Sequence, residues 1–145
     1  MNIPQEILNG EYTSPILAKI LRVPLRKVTS MLERGYIVST IQDAAGHGSK
    51  RLFSFDDVLR AFIIHNLESF GLSVEKLRFV SSLLSEPGQL DLPFLLFDEY
   101  GDRCPVGDSP TMRVPLEKMR GRVVLRIYGR DPPGYAHEHI QFRSE

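Results

Sequence analysis

Arg26 and Lys27 stand side by side near the start of an apolar-periodic segment, Thr29 and Ser30 follow them, and Lys50 and Arg51 form a second basic pair further along. These residue types suit one kind of chemistry. A guanidinium can bond two acceptors on a guanine edge, an ammonium suits a phosphate, and short hydroxyls donate to phosphate at close approach. From Lys19 to Arg51 the cations are Lys19, Arg22, Arg26, Lys27, Arg34, Lys50 and Arg51, against Glu33 and Asp43. That is a local net of +5 in a chain whose formal net charge is zero, so the remainder carries −5. A basic patch confined to one segment is the electrostatic footprint of a nucleic-acid module; a solvated charged face is the ordinary alternative.

Catalytic and metal chemistry is thinly represented. His137 and His139 alternate, and on a strand both would face one way, a spacing that suits zinc. Gln141 and Arg143 share that polar face, however, and no third ligand accompanies the pair. His47 lies in a glycine-flanked loop and reads as a solvent or phosphate contact, while His65 sits among apolar residues as a boundary residue. Cys104 is the single cysteine, with no partner for a disulfide and no base beside it to make a nucleophile. Asp98, Glu99 and Asp102 cluster at a turn, where solvation accounts for them. No phosphate-binding glycine motif occurs. The expectation is a protein that is not an enzyme, with no cofactor and no metal. No apolar run approaches the roughly 18 residues of a membrane span, and Met1 to Gly10 lacks the charged start and apolar block of a signal peptide, so a soluble cytoplasmic protein is expected.

The elements that must position the basic residues are two short helices within Ser14 to Gly35. Ser14, whose hydroxyl can cap an orphan amide, and Pro15 at the first helical position open the first, whose apolar residues Ile16, Leu17, Ile20 and Leu21 recur at helical spacing around Ala18. Pro24 opens the second, which runs through Leu25, Val28, Met31 and Leu32 to a stop at Gly35. So short a connection between two apolar-faced helices predicts a helix-turn-helix. The β-prone run Tyr36 to Val38, the polar loop Gln42 to Lys50 and the return at Arg51 to Phe53 predict a β wing. Ser54 with Asp57 predicts a capped third helix through Val58, Phe62 and Leu67 to Gly71, and Ser73 caps a fourth that Pro87 and Gly88 stop. Tyr12 and Thr13 predict a brief strand. Beyond Gln89, strands are predicted at Phe94 to Phe97, Arg122 to Tyr128 and His137 to Arg143.

Taken together, residues 12 to 84 resemble the MerR family of bacterial transcriptional regulators. The resemblance rests on Tyr12-Thr13, Ala18, Arg22-Val23-Pro24, Arg26, Glu33-Arg34-Gly35, then Arg51, Phe53, Ser54, Asp56 and Asp57, and finally Gly71-Leu72-Ser73-Val74-Glu75. Departures are Arg22 at the usual turn glycine, Thr29-Ser30-Met31 where the family has an arginine and two aromatics, and Pro87-Gly88 where many members continue a long dimerising helix. No cysteine pair matches the family's metal-sensing sites.

The resulting expectation is an α+β chain. Residues 1–87 form a winged helix-turn-helix of four helices and a β wing that binds double-stranded DNA. Residues 88–145 form a small β-rich extension of unknown role in dimerisation, effector or partner binding. The residues assigned to DNA are Arg22, Arg26, Lys27, Thr29, Ser30, Lys50 and Arg51. Palindromic operators in the family and the small size of one head imply a homodimer, joined through the fourth helix or through strands of the extension. The competing expectation is a non-enzymatic protein-interaction module that keeps the fold without DNA binding.

Overall fold

A computed structural model describes residues 3–42, 50–97, 112–131 and 141–142. Gln5–Leu8 makes one helical turn (α1), and Tyr12–Thr13 forms a short strand (β1) that pairs antiparallel with Leu52–Phe53 (β2), Tyr12 opposite Phe53. The two predicted helices are Ser14–Leu21 (α2) and Leu25–Glu33 (α3). Phe55–Glu68 (α4) and Val74–Leu84 (α5) follow, each with the serine cap its sequence announces: the Ser54 and Ser73 hydroxyls accept from the Asp57 and Lys76 amides. Past a short 3-10 turn at Gln89–Asp91, Leu95–Phe97 (β3), Met112–Val114 (β4) and Gln141–Phe142 (β5) make an antiparallel sheet in the order β3-β4-β5, and Leu116–Ile127 (α6) lies between its last two strands in sequence.

Three expectations change. Thr13, not Ser14, is the N-cap residue of α2, and its side chain makes no capping bond; Ser14 and Pro15 are already helical. Tyr36 to Val38 is not a strand. Tyr36 and Ile37 are instead buried under the helices, and the partner of β2 beyond β1 is Gln42, whose amide and carbonyl both bond Leu52 (3.3 and 2.7 Å). Arg122 to Tyr128 is the end of a helix, not a strand. Over this short window Val123, Leu125 and Ile127 alternate like a strand, but the buried set Leu116, Met119, Val123 and Val124 repeats every three to four residues and places that stripe against α4. The extension is therefore a sheet plus a helix. Of the strand predicted over His137 to Arg143, only Gln141–Phe142 lies within the described residues, and the wing loop at 43–49 lies outside them.

α4 is the hub. Ten of its residues are buried, among them Val58, Leu59, Phe62, Ile63 and Leu67, so the helix is covered on nearly every side, by α2, α5 and α6 above all. One apolar cluster runs from Leu17, Val28 and Met31 through α4 to Leu95, Met112, Val114, Met119 and Val123, spanning Pro87 without a break. No helix among the described residues is long and apolar enough to cross a membrane.

The α2–α3 connection depends on Arg22, the one non-glycine described residue with positive φ (58°). Its amide bonds Lys19 O and the Val23 amide bonds Ala18 O, a helix-ending arrangement that normally takes glycine at this place. The left-handed conformation costs a residue with a Cβ about 1 kcal/mol. Arg22→Ala and Arg22→Gly both lose the side chain, but only glycine relieves the backbone. Urea unfolding is expected to find the glycine variant more stable than the alanine variant by about 1 kcal/mol; equal midpoints would refute strain at this turn.

Candidate nucleic-acid interface

α3 has two faces. Val28 and Met31 are fully buried against α2 and the core, while Arg26, Thr29 and Glu33 line an exposed strip at helical spacing beside Leu25, which is 49% exposed. Arg26 makes no hydrogen bond or ion pair among the described residues and reaches outward. Thr29 is exposed, its hydroxyl bonded back to Leu25 O at a long 3.4 Å, and Ser30 is half-buried at the rim. Pro24 is the N-cap, and no side chain caps the start of α3.

Arg22 and Lys27, also assigned to DNA, are engaged inside the molecule. Arg22 Nη2 donates to Asp131 O at 2.5 Å and lies 3.7 Å from the Asp131 carboxylate. That carboxylate, 1% exposed, also meets Arg126 Nε at 2.9 Å and Arg122 Nη2 at 3.2 Å. Arg126 in turn donates to Ile20 O at 2.7 Å, and its guanidinium lies 4.8 Å from the centre of the Phe62 ring. Three guanidiniums from the turn and α6 thus converge on one buried carboxylate, and removing the acid from such a site costs about 3–5 kcal/mol because the cations are left uncompensated. Sequence reasoning missed Asp131, because pairings this distant along the chain leave no periodic signal.

Lys27 Nζ lies 2.6 Å from Glu68 Oε1, and the Tyr36 hydroxyl donates to Glu68 Oε2 at 2.5 Å. His65 Nδ1 stands 3.9 Å from the same carboxylate and, among the described residues, is buried without a hydrogen bond. Burial pushes the Glu68 carboxyl up, but hydrogen bonds from Lys27 and Tyr36 and the nearby positive charge outweigh it and hold the carboxyl below its usual range. Burial, then the Glu68 hydrogen bond and charge, raise the Tyr36 phenol to about 12 against an opposing contribution from Arg34. Burial, helped by the Lys27 and Arg126 charges and opposed by Glu68, lowers the His65 imidazole.

The second basic pair borders a concavity of about 290 Å³ lined by Thr13, Ser14, Pro15, Lys50 and Arg51, at the start of α2. Lys50 is exposed and Arg51 half-buried. The approach to this edge is fixed from α4: Asp57 accepts from the Thr40 amide and hydroxyl, both at 2.7 Å, while completing the Ser54 capping box and pairing with Arg60. His47, Asp98, Glu99, Asp102, Cys104, His137 and His139 lie outside the described residues, and among the described residues no cluster of three metal-ligating side chains occurs.

The chain is similar to uncharacterized HTH-type transcriptional regulators of Mycobacterium bovis and of two Mycobacterium tuberculosis strains, each 31% identical over 91 residues. The match takes in 63% of this chain and 40% of each relative, so the chain spans well under half the length of the proteins it matches. No protein-family model matches it. The pair α2 and α3, with its tight turn, is compatible with the helix-turn-helix that those names describe.

Of the groups around α3, His65 and Glu68 both make the fold less stable as pH falls. A histidine whose folded pKa is lowered binds fewer protons folded than unfolded, so stability falls as pH drops from the ordinary 6.5 through the folded value. The depressed Glu68 removes further stability as pH falls from 4.5 through its own folded pKa. Chemical denaturation from about one pH unit above to about one unit below the free imidazole value of 6.5 is expected to show a loss of stability that His65→Gln flattens. An equal slope in wild type and variant would mean that His65 is not held neutral by the fold.

Proposed function

We propose that the chain is a DNA-binding transcriptional regulator that reads duplex DNA through α3, with the segment around Lys50 and Arg51 acting as a wing on the backbone. The observation that carries this reading is the outward Arg26, on the exposed strip of a second helix whose first turn no side chain caps. An arginine at that place is suited to bidentate contact with guanine. Support for the backbone contact comes from the concavity between Lys50, Arg51 and the start of α2, where two cations and the positive end of a helix surround space for a phosphate. The names of the relatives support regulation as the outcome of binding. The order of residues from Tyr12 to Glu75 supports a MerR-like relationship, and a two-fold operator would call for a homodimer. With Arg122 to Tyr128 helical, β3, one edge of its sheet next to the exposed Leu92 and Phe94, is a strand suited to pairing between copies, and α5, the fourth helix expected from the sequence, is the other candidate.

A second reading, a protein-interaction module that keeps the fold without binding DNA, is favoured by one observation: Arg22 and Lys27 both meet internal acids. Selection of bound sequences from a random duplex pool, followed by titration at several salt concentrations, separates the two. Salt-sensitive, sequence-enriched binding supports the regulator; none at low ionic strength supports the module.

Arg26 and Arg51 are expected to divide by role. Arg51→Ala should weaken binding to all duplexes about equally and lower the salt slope by roughly one unit, the loss of one phosphate contact. Arg26→Ala should cost about 1–3 kcal/mol on the selected site and much less on random DNA. Equal losses on both duplexes for both variants would reduce Arg26 to a phosphate contact.

A further inference from the structure

One carboxylate ties both ends of α3 to the hub helix. Lys27, in the first turn of α3, meets Glu68 Oε1, and Tyr36, just past the stop at Gly35, donates to Glu68 Oε2. Both oxygens are used, so the carboxylate is fixed in orientation. The Lys27 and Glu68 side chains keep 29% and 21% exposure, and an ion pair that open to water adds little stability. Its effect is instead on charge. Arg26 and Lys27 are neighbours in sequence, about 100° apart around the helix, and the fold sends one outward and draws the other against α4.

Resting on the proposed DNA-binding function, we infer that Glu68 is a positioning residue for specificity: by holding Lys27 against α4 it withdraws that ammonium from the duplex and leaves Arg26 as the reading cation of α3. A released lysine at this place would seek phosphate, which raises affinity for every sequence alike, whereas a guanidinium on a base edge adds affinity only for the matching site. Glu68 therefore suppresses binding that carries no sequence information. The residue lies off the exposed strip of α3 and touches DNA only through its effect on Lys27.

The test titrates the full chain and its variants against the selected duplex and a random-sequence duplex over a range of salt. Glu68→Gln keeps an oxygen for the Tyr36 hydroxyl but loses the charge that holds Lys27. It is expected to tighten random-duplex binding several-fold at low salt, to steepen the log K against log salt slope by about one unit, and to lower the ratio of specific to random affinity. Glu68→Gln placed on Lys27→Gln should change none of these. Lys27→Gln alone should leave the slope as in wild type, a result that does not depend on how well the Glu68 variant folds. A one-unit loss of slope in Lys27→Gln, or a Glu68→Gln slope equal to wild type, would overturn the inference while leaving DNA binding standing. Wild type that binds no duplex in a salt-sensitive way would overturn both.

Discussion

The buried Asp131 carboxylate is the constraint on which the arrangement of the two short helices rests. It is reached by Arg22 from the α2–α3 turn and by Arg122 and Arg126 from α6, and Arg126 also bonds the last turn of α2 at Ile20. Three cations around one anion form a site in which loss of the acid is strongly destabilising. The position that would suit glycine conformationally is an arginine whose side chain spans to the far end of the chain. A local backbone cost at the turn is thereby offset by a long-range ionic contact, and the segment beyond Pro87 is joined to the geometry of the helices before it.

The same logic recurs along α4. Asp57 at its start holds Thr40 and so the strand edge next to the second basic pair, while Glu68 at its end holds Lys27 and Tyr36 around α3. Between them the apolar body of α4 fills the core. A single helix thus supplies both the packing surface and the two carboxylates that orient the candidate contact elements. The cations left facing outward are a subset of those counted in the sequence, which makes the exposed charge narrower and more directional than the local net of +5 suggests.

Much of this was readable from residue order. Apolar spacing located α2 through α5, Pro24 and Gly35 bounded α3, and the Ser54–Asp57 and Ser73 caps appear where their chemistry requires them, because helix starts and stops are local events. The misreadings share a cause as well. Over five to seven residues the Val123 to Ile127 segment alternates like a strand, and only the longer window from Leu116 reveals the helical repeat. Tyr36 to Val38 has strand-forming residues, but Tyr36 and Ile37 are taken up by burial under the helices. Within the candidate site, Arg26 and Lys27 look equivalent until the partner at Glu68 is known, and Arg22 looks like a solvent-facing turn residue until Asp131 is placed beside it. Pairings across such distances depend on the assembled fold.

Native-state hydrogen exchange on Asp131→Asn, compared with wild type, tests the central claim most directly. If the buried carboxylate holds the turn, the Arg22 and Val23 amides, which bond Lys19 O and Ala18 O, should lose their protection in the variant beyond the loss at interior α4 amides such as Phe62 and Ile63, which follow the global fall in stability. A folded variant whose turn amides keep their wild-type protection would contradict the claim and leave Asp131 as a local feature of the end of α6.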